Sequence, residues 1–349
     1  MLYHLAQYFA DLAGPLRLLN SYITLAGLGT ALGAVLTWWV MPKLWVYLPI
    51  DRGRAYAIDA DKSIGKPMSG GVIFIPIFIL ISLLVVPFDW KFIGILSCVG
   101  LAMVVGFLDD NSKRGWSEYS LGAMDLIIAL LASLIICGLE PLVIWLPVYK
   151  DPLEISPSLF VIASTILIWT SINATNCTDG VDGLSASLSS MAILFLGGIL
   201  YGIVGHADIS EYLLVPHYKQ GADWAIMSFV LVGCLTGYLW HNSYPSAVMM
   251  GDSGSRPIGL MLGILVMACG NPFLIIVVAF VVLVNGATGM IKVALLRFFK
   301  VGIFSQIRYP LHDHVRYKMG WSNTQVLVRF MLLQAVGTPI LLVLLLKIR

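Results

Sequence analysis

Asn176, Asp179 and Asp182 stand three residues apart where an apolar stretch ends, in the run Asn176-Cys-Thr-Asp179-Gly-Val-Asp182-Gly183. If a helix carries on through them, steps of three residues at about 100° each spread the three polar groups over roughly 120° of its surface, so that they share a face. Gly180 and Gly183 would leave room beside the carboxylates for a cation or a phosphate-bearing ligand to approach the backbone. A calcium loop is a rival, but the run lacks the alternating oxygen ligands and closing Glu of an EF-hand. The plainer alternative is a polar loop that ends a span. Other loops decide between them.

Three further stretches carry similar groups. Asp109 and Asp110 are adjacent acids, which repel unless a cation or a shared proton relieves them, and helical spacing would return Lys113 to the side of Asp109. Asn242 leads to Met250-Gly-Asp252-Ser-Gly-Ser255, where Asp252 is poised for a metal or phosphate and small residues suit a helix start whose N–H groups cradle an anion. An ordinary helix cap is the alternative there. The third stretch, Tyr309 to Trp321, holds His312, Asp313 and His314 among cations and aromatics. Two histidines one residue apart could bind zinc, but no third and fourth ligand follow at a usual spacing, so a phosphate- or sugar-binding loop fits better. A lipid-headgroup patch remains the bland reading. The loop from Asp51 to Gly71 adds Lys62, Lys66 and small residues at a span entrance, and Asp125 and Lys292 lie inside apolar runs, where ionisable groups are functional candidates by default.

The elements that must position these groups follow from composition. Of 349 residues, 59% are hydrophobic and 11% charged, with mean hydropathy +0.89, which describes an all-α integral membrane protein. A net charge of +2 gives no electrostatic case for nucleic-acid binding. Five cysteines, mostly within apolar runs, read as buried small hydrophobes. The first residues lack the pattern of a signal peptide, so no processing is expected. About ten spans are long enough for some 30 Å of hydrocarbon: 18–48, 70–87, 92–108, 119–139, 158–176, 184–204, 224–239, 258–269, 273–299 and 326–346. No polar connection is large enough to bury a core of its own, so residues 1–349 read as one polytopic domain.

With ten spans, both termini share a side. Basic residues of the odd-numbered loops, from Lys43 through Lys113 and Arg256 to Arg329, outnumber Arg17, Lys91, Lys150, Lys219, Lys347 and Arg349 opposite. The positive-inside rule then puts both termini outside and every acid-bearing loop on the cytoplasmic face.

These residues resemble the polyprenyl-phosphate N-acetylhexosamine-1-phosphate transferases. The resemblance rests on Asp109-Asp-Asn-Ser-Lys113, on Asn173 through Leu184, on Asn242 with Met250 to Ser255, and on His312-Asp-His314 followed by Gly320-Trp321 and Arg329-Phe330. It spans the chain end to end, and the last two features favour the muramoyl branch. The chain departs from that branch in carrying His312-Asp313-His314 for three consecutive histidines, and Lys66-Pro-Met-Ser-Gly-Gly71 for Thr-Pro-Thr-Met-Gly-Gly.

The resemblance implies transfer of phospho-N-acetylmuramoyl-pentapeptide from its uridine nucleotide (UDP-MurNAc-pentapeptide) to undecaprenyl phosphate in a bacterial inner membrane, with magnesium as cofactor and UMP released. It implies Asp109, Asp110 and Asp252 as the catalytic group, with Asp252 holding the magnesium ion. Lys62, Lys66, Lys113, Asn176, Asp179, Asp182, Asn242, His312, Asp313 and His314 are then substrate-binding candidates. Membrane lipids are partners, and a homodimer stays open. Asn285, Gly286 and Gly289 in the ninth span suit a kink, and in the resembling family a bent helix there opens a lateral groove for the lipid. A sister transferase acting on UDP-N-acetylglucosamine is the nearest alternative. A cation transporter is more remote, since it would hold its acids near the midplane, often with inverted repeats.

Overall fold

In hydrocarbon no water can satisfy a backbone N–H or C=O, and a helix pairs nearly all of them within one segment, which is why long apolar runs become helices. A computed structural model describes residues 1–9, 14–53, 63–113 and 115–347. In chain order it contains α1 (Leu2–Phe9), α2 (Tyr22–Leu44), α3 (Gly71–Val85), α4 (Trp90–Asn111), α5 (Glu118–Cys137), β1 (Leu142–Ile144), β2 (Leu153–Ile155), α6 (Pro157–Thr178), α7 (Leu184–Ile199), α8 (Ala207–Tyr212), α9 (Gly221–Asn242) and α10 (Asp252–Ala268). There follow α11 (Leu274–Val278), α12 (Phe280–Val282), α13 (Thr288–Ala294), α14 (Leu311–Met319) and α15 (Asn323–Lys347).

All ten expected spans are helical, but among the described residues only eight helices are long and apolar enough to cross a membrane. The shorter two are α3, with 15 residues, and α10, with 17. Length matters less for α10 because it is the centre of the bundle: every residue from Asp252 to Met267 is buried. Glycines let it approach its neighbour, since a Cβ on Gly259 or Gly263 would come within 2.6 or 2.8 Å of Ile172 or Ile168 on α6.

The ninth span is not one helix. It runs α11, a break at Ala279 (φ −129°, ψ 24°), α12, a π turn at Leu283–Ala287, α13 and a second π turn at Leu295–Phe299. Asn285 and Gly286 fall in the first π turn, so the expected kink is there, with a further break that the sequence did not announce.

The chain is also not wholly helical. β1 and β2 form an antiparallel hairpin with Leu142 opposite Ile155 and Ile144 opposite Leu153. Trp145, just after β1, donates its indole N–H to the Cys269 carbonyl at 2.8 Å. That bond ties the hairpin to the end of α10 farthest from Asp252.

Candidate active site

The start of α10 is held by a carboxylate from another helix. Gly251 turns the chain into α10 at φ 70°, a conformation that side chains disfavour. The Asp110 carboxylate, at the end of α4, then accepts the N–H of Asp252 (3.0 Å) and of Ser253 (3.2 Å), and the hydroxyl of Ser69 (2.7 Å). Asp110 thus caps α10 and meets the positive end of its dipole. The expected anion cradle is corrected by this arrangement: two of its N–H groups already hold the protein's own anion. Gly71 and Gly106 pack directly on the backbone of Ser253 and Asp252, leaving no room for a Cβ.

Asp252 is the first residue of α10, and both of its carboxylate oxygens have partners. Oδ1 accepts the Asn176 amide at 2.8 Å, while Oδ2 accepts Arg256 Nε at 3.0 Å and Nη2 at 2.7 Å. The remaining arm of Arg256 pairs with Asp125. Asp125 is therefore part of this buried ion network, where one guanidinium lies between two carboxylates. Breaking such a network strands a buried charge, at a cost of about 3–5 kcal/mol. In the sequence Arg256 served only as a topology marker. Its spacing of four from Asp252 on a helix was the available signal.

Asp109 is adjacent to Asp110 but rotated by about 100° on the helix, and it takes a different partner, the Trp116 N–H at 2.5 Å. The two acids are relieved by pointing apart. Lys113 does not return to Asp109, because α4 ends at Asn111 and the lysine is exposed beyond it.

The shared face of Asn176, Asp179 and Asp182 is corrected as well. Helix α6 stops at Thr178, and Asp179 already has φ −81° and ψ 60°. Asn176 turns toward Asp252. Asp182 turns the other way, accepting the N–H (3.1 Å) and hydroxyl (2.8 Å) of Ser246, with the Lys66 ammonium 4.0 Å away and itself donating to Ser246 Oγ at 3.2 Å. Asn242 is buried and joins loops, accepting from the Gly183 N–H and donating to the Val248 carbonyl, both at 2.8 Å.

The space beside Gly180 is filled by the His312 imidazole, and Gly183 serves a turn at φ 76°. Neither is open to a ligand there. Asn285 holds His312 in turn, accepting its backbone N–H at 2.8 Å, contacting Nδ1 at 3.1 Å and donating to Thr178 Oγ1 at 3.1 Å. Burial, with the charge of Arg316 adding to it, pushes the His312 pKa down to about 3, so the ring is neutral. Burial also pushes the Asp313 carboxyl up, against the pull of Arg308 at 3.8 Å and Arg316 at 3.6 Å. His314 Nδ1 accepts the Arg308 N–H at 3.2 Å. Lys62 lies outside the described residues.

Asp109, Asp252, Asn176 and Arg256 line the polar end of a cavity of about 950 Å³. Its walls are apolar, with Leu121 and Leu126 on α5, Trp169 on α6, and Met290, Val293 and Phe298 on the irregular ninth segment. Gly289 lets that segment pack on Tyr309, where a Cβ would come within 2.8 Å of the ring-bearing side chain. Lys292 donates to the Ile307 carbonyl at 2.7 Å, fastening the segment to the histidine loop. Arg297 lines the cavity with Glu118 and Tyr119, donating to the Tyr119 hydroxyl at 3.0 Å and lying 3.5 Å from the Glu118 carboxylate. The result is an amphipathic groove with two carboxylates at its polar end.

Residues 92–270 match the model of a family described as glycosyl transferase family 4. The phospho-N-acetylmuramoyl-pentapeptide-transferase of Treponema pallidum is 46% identical over 339 residues, covering 96% of this chain and 93% of that protein. The protein of the same name from Campylobacter jejuni is 33% identical over 329 residues, covering 89% and 91%. That from Nitratiruptor is 31% identical over 345 residues, covering 94% and 96%.

Proposed function

Because this chain belongs to the phospho-N-acetylmuramoyl-pentapeptide-transferase (MraY) family, we propose a reaction in which the groove holds the lipid acceptor and the carboxylates serve the transfer. The protein is a multi-pass membrane transferase of peptidoglycan synthesis. It moves phospho-N-acetylmuramoyl-pentapeptide from UDP-MurNAc-pentapeptide to a polyprenyl phosphate.

The finer reading is that the acceptor is undecaprenyl phosphate, the membrane is the bacterial inner membrane, and the site faces the cytoplasm. The single observation that carries the role of the groove is the pair Asp109 and Asp252, beside Asn176 and Arg256, at the polar end of a cavity whose walls are largely apolar. An amphipathic ligand with one phosphate end fits that pattern. The isoprenoid chain lies along Leu126, Trp169 and Val293, with its phosphate turned toward the acids. An oxygen of that phosphate attacks the β-phosphorus of the uridine nucleotide. The new P–O bond forms as the bond from the β-phosphorus to the bridging oxygen breaks, and UMP leaves with the electron pair.

Asp109 takes the proton of a lipid phosphate that is still monoanionic. Its second pKa lies near 6, so this base helps most at lower pH. Asn176 and Arg256 fix the orientation of Asp252. The donor set fits magnesium: Asp252 lines the cavity and its Oδ1 accepts a single N–H, and this ion needs only one or two carboxylates, with water and substrate phosphate completing its shell. Bound there, magnesium supplies charge neutralisation for the pyrophosphate.

The test is UMP release by the purified full chain from UDP-MurNAc-pentapeptide, with and without undecaprenyl phosphate, and with UDP-N-acetylglucosamine in a parallel arm. Release that requires both the muramoyl nucleotide and the lipid, lost on chelation and restored by magnesium, is expected. Release without the lipid, or only from the N-acetylglucosamine nucleotide, overturns the reading.

A further inference from the structure

The wall of the groove owes its shape to the break at Ala279, and side chains of α15 hold that break. In an unbroken helix the N–H of Val281 and the carbonyl of Val277 are each other's partners. Here the Val281 N–H donates to Gln334 Oε1 at 3.2 Å, and the Val277 carbonyl accepts the Thr338 hydroxyl at 3.1 Å. Gln334 Nε2 donates both to the Val278 carbonyl and, at 2.7 Å, to Thr338 Oγ1. Gln334 and Thr338 are fully buried. Between them Gly337 makes room for the Phe280 ring, which would lie 2.5 Å from a Cβ at that position.

These residues sit at i, i+3 and i+4, on one face of α15. Together they form a socket shaped to a bent 277–281 segment. A straight apolar helix satisfies its own backbone and has no use for buried amide and hydroxyl groups at this depth, where an unpaired one costs several kcal/mol. The bend has two consequences downstream. It aims α13, with Met290 and Val293, along the groove, and it sets the π turn that carries Asn285 to His312.

We propose that Gln334 and Thr338 are positioning residues for the polyprenyl phosphate: by fixing the bend of segment 274–299 they set the width of the lipid groove. This rests on the reading of the groove as the lipid site. The experiment compares wild type with Gln334→Leu, Thr338→Val and Thr338→Ser. It measures KM for undecaprenyl phosphate and for UDP-MurNAc-pentapeptide, thermal stability, and the distance between nitroxide labels at Leu126 and Val293 across the groove.

Gln334→Leu and Thr338→Val are expected to raise the lipid KM by about fivefold or more, leave the nucleotide KM within about twofold, and shift or broaden the label distance. Thr338→Ser keeps the hydroxyl and is expected to restore the wild-type lipid KM. Should Gln334→Leu fail to fold, Thr338→Val and Thr338→Ser carry the comparison. Unchanged lipid KM and label distance overturn the proposal, as does a parallel rise of both KM values that tracks lost thermal stability. If wild type shows no lipid-dependent UMP release, the functional reading falls instead, and the label distance still decides whether the socket sets the groove.

Discussion

The two sides of the groove handle polar groups in opposite ways. At the start of α10 the buried charges are matched by fixed partners: Asp110 by backbone N–H groups, Asp252 by Arg256 and Asn176, and Arg256 also by Asp125. On the ninth segment it is the backbone that needs help, and α15 supplies it. The first arrangement holds charge in a set geometry, which is what stabilising a developing charge demands. The second gives an irregular wall whose bend is pinned by buried side chains of a neighbouring helix. Charge is thus fixed by charge on one side, and an irregular backbone by buried amide and hydroxyl groups on the other.

The comparison breaks most visibly at Asp252. Asp252→Asn removes the anion that Arg256 and the proposed magnesium share, so kcat should fall by about 10³-fold or more, while Asp110 still caps α10 and the protein folds. Turnover of the purified variant, read beside its circular dichroism, checks this. Near-normal magnesium-dependent turnover would remove Asp252 from the mechanism. Asp109→Asn should cost about tenfold near pH 5, where a lipid phosphate of second pKa near 6 is still mostly monoanionic, and much less at pH 7. Part of the rate should return as pH rises and the lipid phosphate loses its own second proton. A rate that stays flat with pH would reduce Asp109 to an electrostatic role.

At the exposed Glu118–Arg297 pair the effects are smaller. Glu118 is 82% exposed by side chain and Arg297 45%, so their pair adds little to stability. Arg297→Ala should raise the lipid KM by a few-fold, and Glu118→Gln, which frees the guanidinium for the lipid phosphate, should lower it, with melting temperature unchanged in both. Equal KM values across the three proteins would show that this pair plays no part in lipid binding.

The sequence carried the spans well because hydrocarbon enforces long apolar helices, and it marked the loops of Asp109, Asn176, Asp252 and His312 as one group because all of them sit at span ends. Directions were harder. Asp109 and Asp110 look equivalent in the sequence, yet one meets the cavity and the other holds a helix start. Asn176 and Asp182 part company because α6 ends at Thr178, four residues short of Asp182. The break at Ala279 left no local trace, since Val277-Val-Ala-Phe-Val281 contains neither Gly nor Pro. Its signal lies about 55 residues later, in Gln334, Gly337 and Thr338 within an apolar run, where polar groups need a partner on another segment.

The smallest effect near neutral pH concerns His312, which joins the two sides by resting on Gly180 and on Asn285. Its folded pKa of about 3 lies below the ordinary value of 6.5. Burial wins over the Asp313 carboxylate, 3.8 Å from Nε2, and Arg316 works in the same direction as burial. Between those two pH values the unfolded chain binds a proton that the folded chain refuses, so this residue's contribution is fully present above pH 6.5. It falls as pH drops toward 3, by about 1.4 kcal/mol per unit at most, and is constant below that. His312→Gln has no proton to bind in either state. Melting of detergent-solubilised protein at pH 7, 5.5 and 4.5 should show wild type losing stability faster than the variant, whatever the offset between them at pH 7. Parallel curves would mean that the imidazole is protonated in the folded protein, and with it the neutral packing of His312 against Gly180 would have to be given up.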